Sequence, residues 1–158
     1  MSAEENKELG RRFIENGYQE VMRGNLDAVH EYFADNYHDH TSLHPEQSGM
    51  GGVKELIADA GQASPDLRLE VMDIAANEDV VFVHWQATGR HEEQHQVNKH
   101  VRDIQPTGEV GTASGISLYR IEGAGSSKAG IITTCSSSHS RAAWATGRAA
   151  ALKSGFDS

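Results

Sequence analysis

The sequence predicts an α+β fold in which helices come first and pack on one face of an antiparallel sheet. Two observations carry this expectation. Apolar residues recur at helical spacing as far as about residue 61, and at a spacing of two from Leu67 onward. The Ser64-Pro65-Asp66 turn separates the two regimes.

Leu9, Phe13, Gly17 and Val21, with Ile14, Tyr18 and Met22 beside them, form one stripe and predict a helix over 5–23. Gly24-Asn25 ends it. Asn25 is placed to cap a second helix over 26–34, where Leu26, Val29 and Phe33 share a face. Residues 37–52, YHDHTSLHPEQSGMGG, read as loop because Gly, Ser, His and Pro dominate them. A third helix over 50–61 runs through Val53, Leu56, Ile57 and Ala60, and Gly61 closes it.

Leu67, Leu69 and Val71 alternate with Arg68 and Glu70, which predicts a half-buried strand over 67–75. Asn77-Glu78-Asp79 is a turn. The strongest strand signal, VVFVHWQAT, gives a strand over 80–90, and VGTASGISLYRIE gives another over 109–121. No internal repeat is visible.

Composition narrows the function. The chain has 158 residues, 14 basic and 23 acidic, for a net charge of −9. That length suits a single domain with a real core. The acidic balance argues against nucleic acid as a partner, because such binding needs a basic footprint. The longest strongly apolar run, Val80–Val83, is far short of the ~20 residues that span a bilayer, so no membrane partner is expected. The polar start MSAEENKELGRRF has no secretory apolar core. One cysteine, Cys135, cannot form an internal disulfide. A cytoplasmic location is the expectation.

The chain divides near Gly123. Residues 1–123 hold 10 basic and 22 acidic residues, net −12, whereas 124–158 hold four basic and one acidic, net +3. Of those last 35 residues, 23 are Ala, Gly, Ser or Thr, a bias absent upstream. The division is therefore 1–123 as a domain and 124–158 as an atypical low-complexity tail.

Few residues are candidates for chemistry. HEEQH at 91–95 matches the zinc-protease pattern H-E-x-x-H. On a helix, however, Val97, Val101 and Ile104 would form the buried stripe, with His91 and His95 more than about 100° away. A third ligand at the required spacing is missing, so no metal is expected there. His38, His40 and His44 lack the carboxylate-supported spacing of a metal site. Trp85 and His84 are strand neighbours and must face opposite ways. Arg120 should face out, which turns Ser117, Tyr119 and Ile121 inward. The residues show neither a phosphate-binding loop nor a Ser-His-Asp or Cys-His arrangement.

The segment NKELGRRFIENGYQEVMRGNLDAVHEYFADNYHDHT resembles the opening of SnoaL-like polyketide cyclases, also called ester cyclases, of the nuclear transport factor 2-like superfamily. The likeness continues through GMGGVKELIADAGQASPDLRLEVMDIAANEDVVFVHWQATGRH and PTGEVGTASGISLYRIEG, and spans about residues 7–123. As in that family, a histidine (His40) follows Tyr37 by three residues, Pro65-Asp66-Leu67 precedes the first strand signal, and Trp85 lies in the VVFVHW strand. Thr41-Ser42 departs from the family's Asn-Pro.

The resemblance implies a cone: a curved antiparallel sheet around a cavity, closed at one end by the N-terminal helices. It implies cofactor-free acid/base chemistry on a small hydrophobic carbonyl compound, a cyclase or isomerase type of reaction. It implies His40 as the polar catalytic group, a pocket of Phe13, Tyr37, Trp85, Ser117 and Tyr119, and a homodimer formed through the open sheet face. The family's carboxylate lies in the last strand, within a glutamate-histidine-tryptophan-aspartate segment that this chain lacks after Gly123. The alternative is a non-catalytic small-molecule-binding cone protein or an inactive relic. Two readings of the tail stand beside each other. One is a frameshifted C-terminus, because IITTCSSSHS can be spelled so that its bases, read two positions on, encode His-His-His-Val-Leu-Gln-Gln-Pro-Leu. The other is a genuine tail in which Ser140 caps an alanine-rich helix over 141–153.

Overall fold

The computed structural model describes residues 2–40, 45–90, 92, 108–122 and 130–140. The chain enters the fold through a capping box. Ser2 Oγ accepts from the Glu5 amide at 3.3 Å, and Glu5 Oε2 accepts from the Ser2 amide at 2.7 Å, so two orphan helix donors are satisfied. One helical run follows: α1 (Ala3–Arg12), a π turn (Phe13–Gly17) and α2 (Tyr18–Met22). The wide turn buries Phe13, Ile14 and Gly17 together. Gly24, at φ +99°, ends the run in the left-handed region that glycine tolerates. The predicted helix over 5–23 is therefore present, with an irregular middle.

The second predicted helix is corrected. Only a 3-10 helix (Leu26–Glu31) forms, and Asn25 makes no side-chain cap to it. At Phe33 the chain becomes strand β1 (Phe33–Asp39). The cause is tertiary: Phe33 pairs with Ile131 of a distant strand, and that pairing overrides a helical spacing of only three apolar residues. Residues 37–39, the start of the segment read as loop, are thus strand. Helix α3 (Met50–Ala63) and strands β2 (Arg68–Ala76), β3 (Val80–Arg90) and β4 (Val110–Glu122) lie within two residues of expectation.

The fifth strand, β5 (Gly130–Ser140), runs through the segment that composition sets apart. The sheet order is β1-β5-β4-β3-β2. Pairing is antiparallel from β2 to β5, while β1 joins β5 in parallel. Strand β1 therefore departs from the all-antiparallel expectation, and β5 lies between it and β4. Residues 91 and 93–107, with the His91/His95 motif, and residues 41–44 lie outside the described residues.

The core sits between the helices and the inner sheet face. Phe33, Ile57, Val21, Val29, Val81, Val83 and Ile131 are its most buried apolar side chains, and each such burial contributes roughly 1.5–3 kcal/mol. Gly17 lets α2 approach closely: a Cβ there would stand 2.5 Å from the Tyr32 ring. Asn6, fully buried, donates to the carbonyls of Asn77 and Glu78 at 2.8 and 2.9 Å and ties α1 to the β2–β3 turn.

Candidate functional site

Strand alternation decides what faces the helices. On β3, Val81, Val83 and Ala87 are buried and Trp85 is half-buried, while Phe82 and His84 are exposed. Trp85 and His84 face opposite ways, as strand alternation requires, and Trp85 takes the inner face, as the family resemblance implies. On β4, Ser117, Tyr119 and Ile121 are buried and Arg120 is exposed, again as expected.

These residues form one cluster. Trp85 lies opposite Gly115, which has no side chain, so its indole leans along β4. Its Nε1–H donates to Ser117 Oγ at 3.0 Å. The Ser117 hydroxyl in turn stands close enough to the Tyr119 phenol to ease its ionisation slightly. The Tyr119 ring meets Phe13 edge-on at 6.1 Å. Phe13 meets Phe33 at 4.7 Å, and Phe33 meets Tyr37 at 4.5 Å. Phe13, Tyr37, Trp85, Ser117 and Tyr119, the expected pocket residues, are brought together by these ring contacts and the Trp85–Ser117 hydrogen bond.

Burial governs the electrostatics. It pushes the Tyr119 phenol far up; the neighbouring Ser117 hydroxyl pulls it back slightly, and the charges of Tyr18 and Asp39 add to the rise. Tyr37 is raised by burial first, then by Asp39 and Tyr119. Burial pushes Tyr18 up to about 12. All three phenols stay protonated at neutral pH and can donate a hydrogen bond, because a low dielectric disfavours phenolate.

His40 is not part of this cluster. It is exposed just past β1, with its ring edge-on to exposed His38 at 4.9 Å. The residue sequence reasoning missed is Asp39. It is half-buried and lies two residues beyond Tyr37, on the same strand face. No local signal marks it, because the burial pattern of β1 is irregular and its pairing with β5 is interrupted by a register shift. Among the described residues no group of three His, Cys, Asp or Glu could hold a metal, and no helix is long and apolar enough to cross a membrane.

Solved structures share this architecture. A candidate SnoaL-like polyketide cyclase from Jannaschia sp. CCS1 superposes with a TM-score of 0.66 at 16% identity, over 86% of each chain. AclR, a candidate hydroxylase from Streptomyces galilaeus, gives 0.65 at 20% identity, over 87% of this chain and 77% of its own. A SnoaL-like polyketide cyclase from Agrobacterium tumefaciens gives 0.62 at 14% identity, over 95% of this chain and 99% of its own. At such identities the likeness shows the fold, the nuclear transport factor 2-like α+β cone. No curated protein matches the chain. The SnoaL-like domain matches residues 11–126, and with the helices, sheet and inner-face cluster in place, the chain belongs to the SnoaL-like family.

Proposed function

We propose that the chain is a cyclase- or isomerase-type enzyme that moves protons on a small hydrophobic carbonyl compound without a cofactor. The observation that carries this reading is the Trp85–Ser117 hydrogen bond set beside the protonated Tyr119 phenol inside an aromatic interior. A fixed donor in a dry, apolar setting stabilises an enolate oxygen as its charge develops. The same setting favours a flat hydrophobic substrate over a charged one. Trp85 and Asp39 keep partial exposure on this face, which gives a ligand a way in. The single cysteine, which cannot form an internal disulfide, favours a reducing, cytoplasmic setting.

The outer sheet face supports a homodimer. Phe82 lies opposite Leu118 and His84 opposite Ile116, and Phe82, Ile116 and Met72 are each about half exposed. Glu70 and Asp73 edge this patch on β2, and Arg120 edges it on β4. A two-fold axis along the strands would set the acidic edge of one copy over the basic edge of its partner, as an isologous interface requires.

The test is proton exchange. 1-Tetralone in D2O, followed by NMR with the protein present, should gain deuterium beside its carbonyl faster than in buffer, and 2-naphthol, an enolate mimic, should inhibit. Binding of 2-naphthol with no exchange would favour the non-catalytic binding protein instead.

A further inference from the structure

We infer that Asp39 is the general base of this site, a carboxylate that the sheet register sets in one row with Tyr119 and that strand alternation sets on the same face as Tyr37. The role rests on the acid/base reading proposed above.

The placement follows from the backbone. Asp39 pairs with position 134 on β5, and position 134 pairs with Tyr119 on β4. Residues paired across a sheet point to the same side, so Asp39 shares a row and a face with Tyr119. Tyr37 is buried on that face, and His38 and His40 are exposed. The Asp39 carboxylate is the negative charge from an Asp or Glu that reaches both Tyr37 and Tyr119. Its backbone is anchored too, because the Asp39 amide donates to the Ser48 carbonyl at 2.6 Å. Ser48 is buried and directly precedes the turn into α3. Asp39 thus stands at the last residue of β1, half in contact with solvent and half facing the phenols.

A carboxylate and a phenol across one row are the two groups that enolisation needs. The Asp39 carboxylate takes a proton from the carbon beside the substrate carbonyl. The electron pair of the broken C–H bond forms the carbon–carbon double bond of the enolate, whose oxygen accepts a hydrogen bond from Tyr119. Asp39, now a carboxylic acid, returns the proton to carbon; alternatively the enolate carbon attacks a second carbonyl carbon of the substrate and closes a ring, and Asp39 gives its proton to the alkoxide oxygen that this carbonyl becomes. No oxidant or co-reactant is needed.

The test compares wild type, Asp39→Asn and Asp39→Glu in the 1-tetralone exchange assay, with 2-naphthol binding measured on each and folding checked by circular dichroism. Removal of a general base should slow exchange at saturation by about 100-fold or more. KM and 2-naphthol affinity should stay within about threefold, and Asp39→Glu should recover at least about a tenth of the rate. A merely structural Asp39 would not separate rate from binding in this way. Exchange by folded Asp39→Asn within about threefold of wild type would overturn the role of Asp39 and leave the proposed function standing. Absence of exchange by the wild type would overturn both.

Discussion

Trp85 and Ser117 are diagonal, not direct, partners across β3 and β4, and the 3.0 Å bond between them exists because Gly115 opposite Trp85 leaves the indole room to lean. Val83 is the residue directly opposite Ser117. The bond therefore fixes the indole over the inner face and holds the Ser117 hydroxyl toward Tyr119.

Ser117→Ala should then cost about 1 kcal/mol in urea unfolding, the net worth of a hydrogen bond whose donor stays half in solvent. In a Trp144→Phe background, Trp85 emission should shift to the red as the indole loses its partner. A double-mutant cycle with Trp85→Phe should give a coupling energy of about 0.5–1.5 kcal/mol. A coupling near zero would mean that the bond does not organise the cluster.

Gly17→Ala tests the packing of α2 on the core. The new methyl would stand 2.5–2.9 Å from three atoms of the Tyr32 ring. Tyr32 is buried against Phe13 at 5.5 Å between ring centres, so the ring cannot swing away cheaply. Overpacking of this kind costs about 1–3 kcal/mol, despite the better helix propensity of alanine. Equal or higher stability in chemical denaturation would show that the ring relaxes freely.

The legibility of this chain follows the length of its patterns. Strand β3 and helix α3 each show several consecutive periods, and the sequence predicts them to within two residues. Strand β1 is unreadable locally, because Phe33, Ala34 and Tyr37 are buried while Asp35 and Asn36 are exposed, and a register shift interrupts its pairing with β5. Its partner β5 begins about 90 residues later in a stretch rich in Ser and Thr. The inner-face residues Trp85, Ser117 and Tyr119 were legible because they sit on regular strands. Asp39 was not, because its orientation depends on a strand that only tertiary pairing creates.

The outer face should reveal itself in the oligomeric state. Phe82→Asp places a charge at the centre of the apolar patch, opposite Leu118. It should halve the mass seen by light scattering, with little change in circular dichroism, because Phe82 is 47% exposed. A wild-type protein that is monomeric at tens of micromolar would rule out the dimer.

Asn6 offers a test of the hinge between α1 and the β2–β3 turn. Its amide is the donor to two backbone carbonyls, and its own Oδ1 has no partner among the described residues. Asn6→Ala should cost about 1–3 kcal/mol. Asn6→Asp should cost more at neutral pH, since a carboxylate cannot donate to both carbonyls and is buried beside them. Burial raises the folded-state pKa of that carboxyl, so the extra loss should shrink as pH falls toward about 4, where the unfolded chain is protonated as well. A pH-independent difference between Asn6→Asp and Asn6→Ala would contradict a buried carboxyl at this position.

The buried phenols predict how the protein fails in alkali. Tyr119 and Tyr37 are raised chiefly by burial, and Tyr18 is pushed up to about 12 by the same cause. In the unfolded chain each ionises near its ordinary value of about 10. Below that pH both states hold the proton and these groups add no pH dependence. Above it the unfolded state loses protons that the folded state keeps, so stability falls as pH rises, by up to about 1.4 kcal/mol per pH unit per group. For Tyr18 the window runs from about 10 to about 12. The urea midpoint should therefore be flat across the range just below pH 10 and drop above it, with tyrosinate absorbance appearing only as unfolding begins. Tyr18→Phe should lessen the alkaline slope without abolishing it, because Tyr37 and Tyr119 remain. Tyrosinate absorbance that rises fully near pH 10 while the protein stays folded would show that these rings are open to water, and would remove the protonated donor on which the enolate chemistry depends.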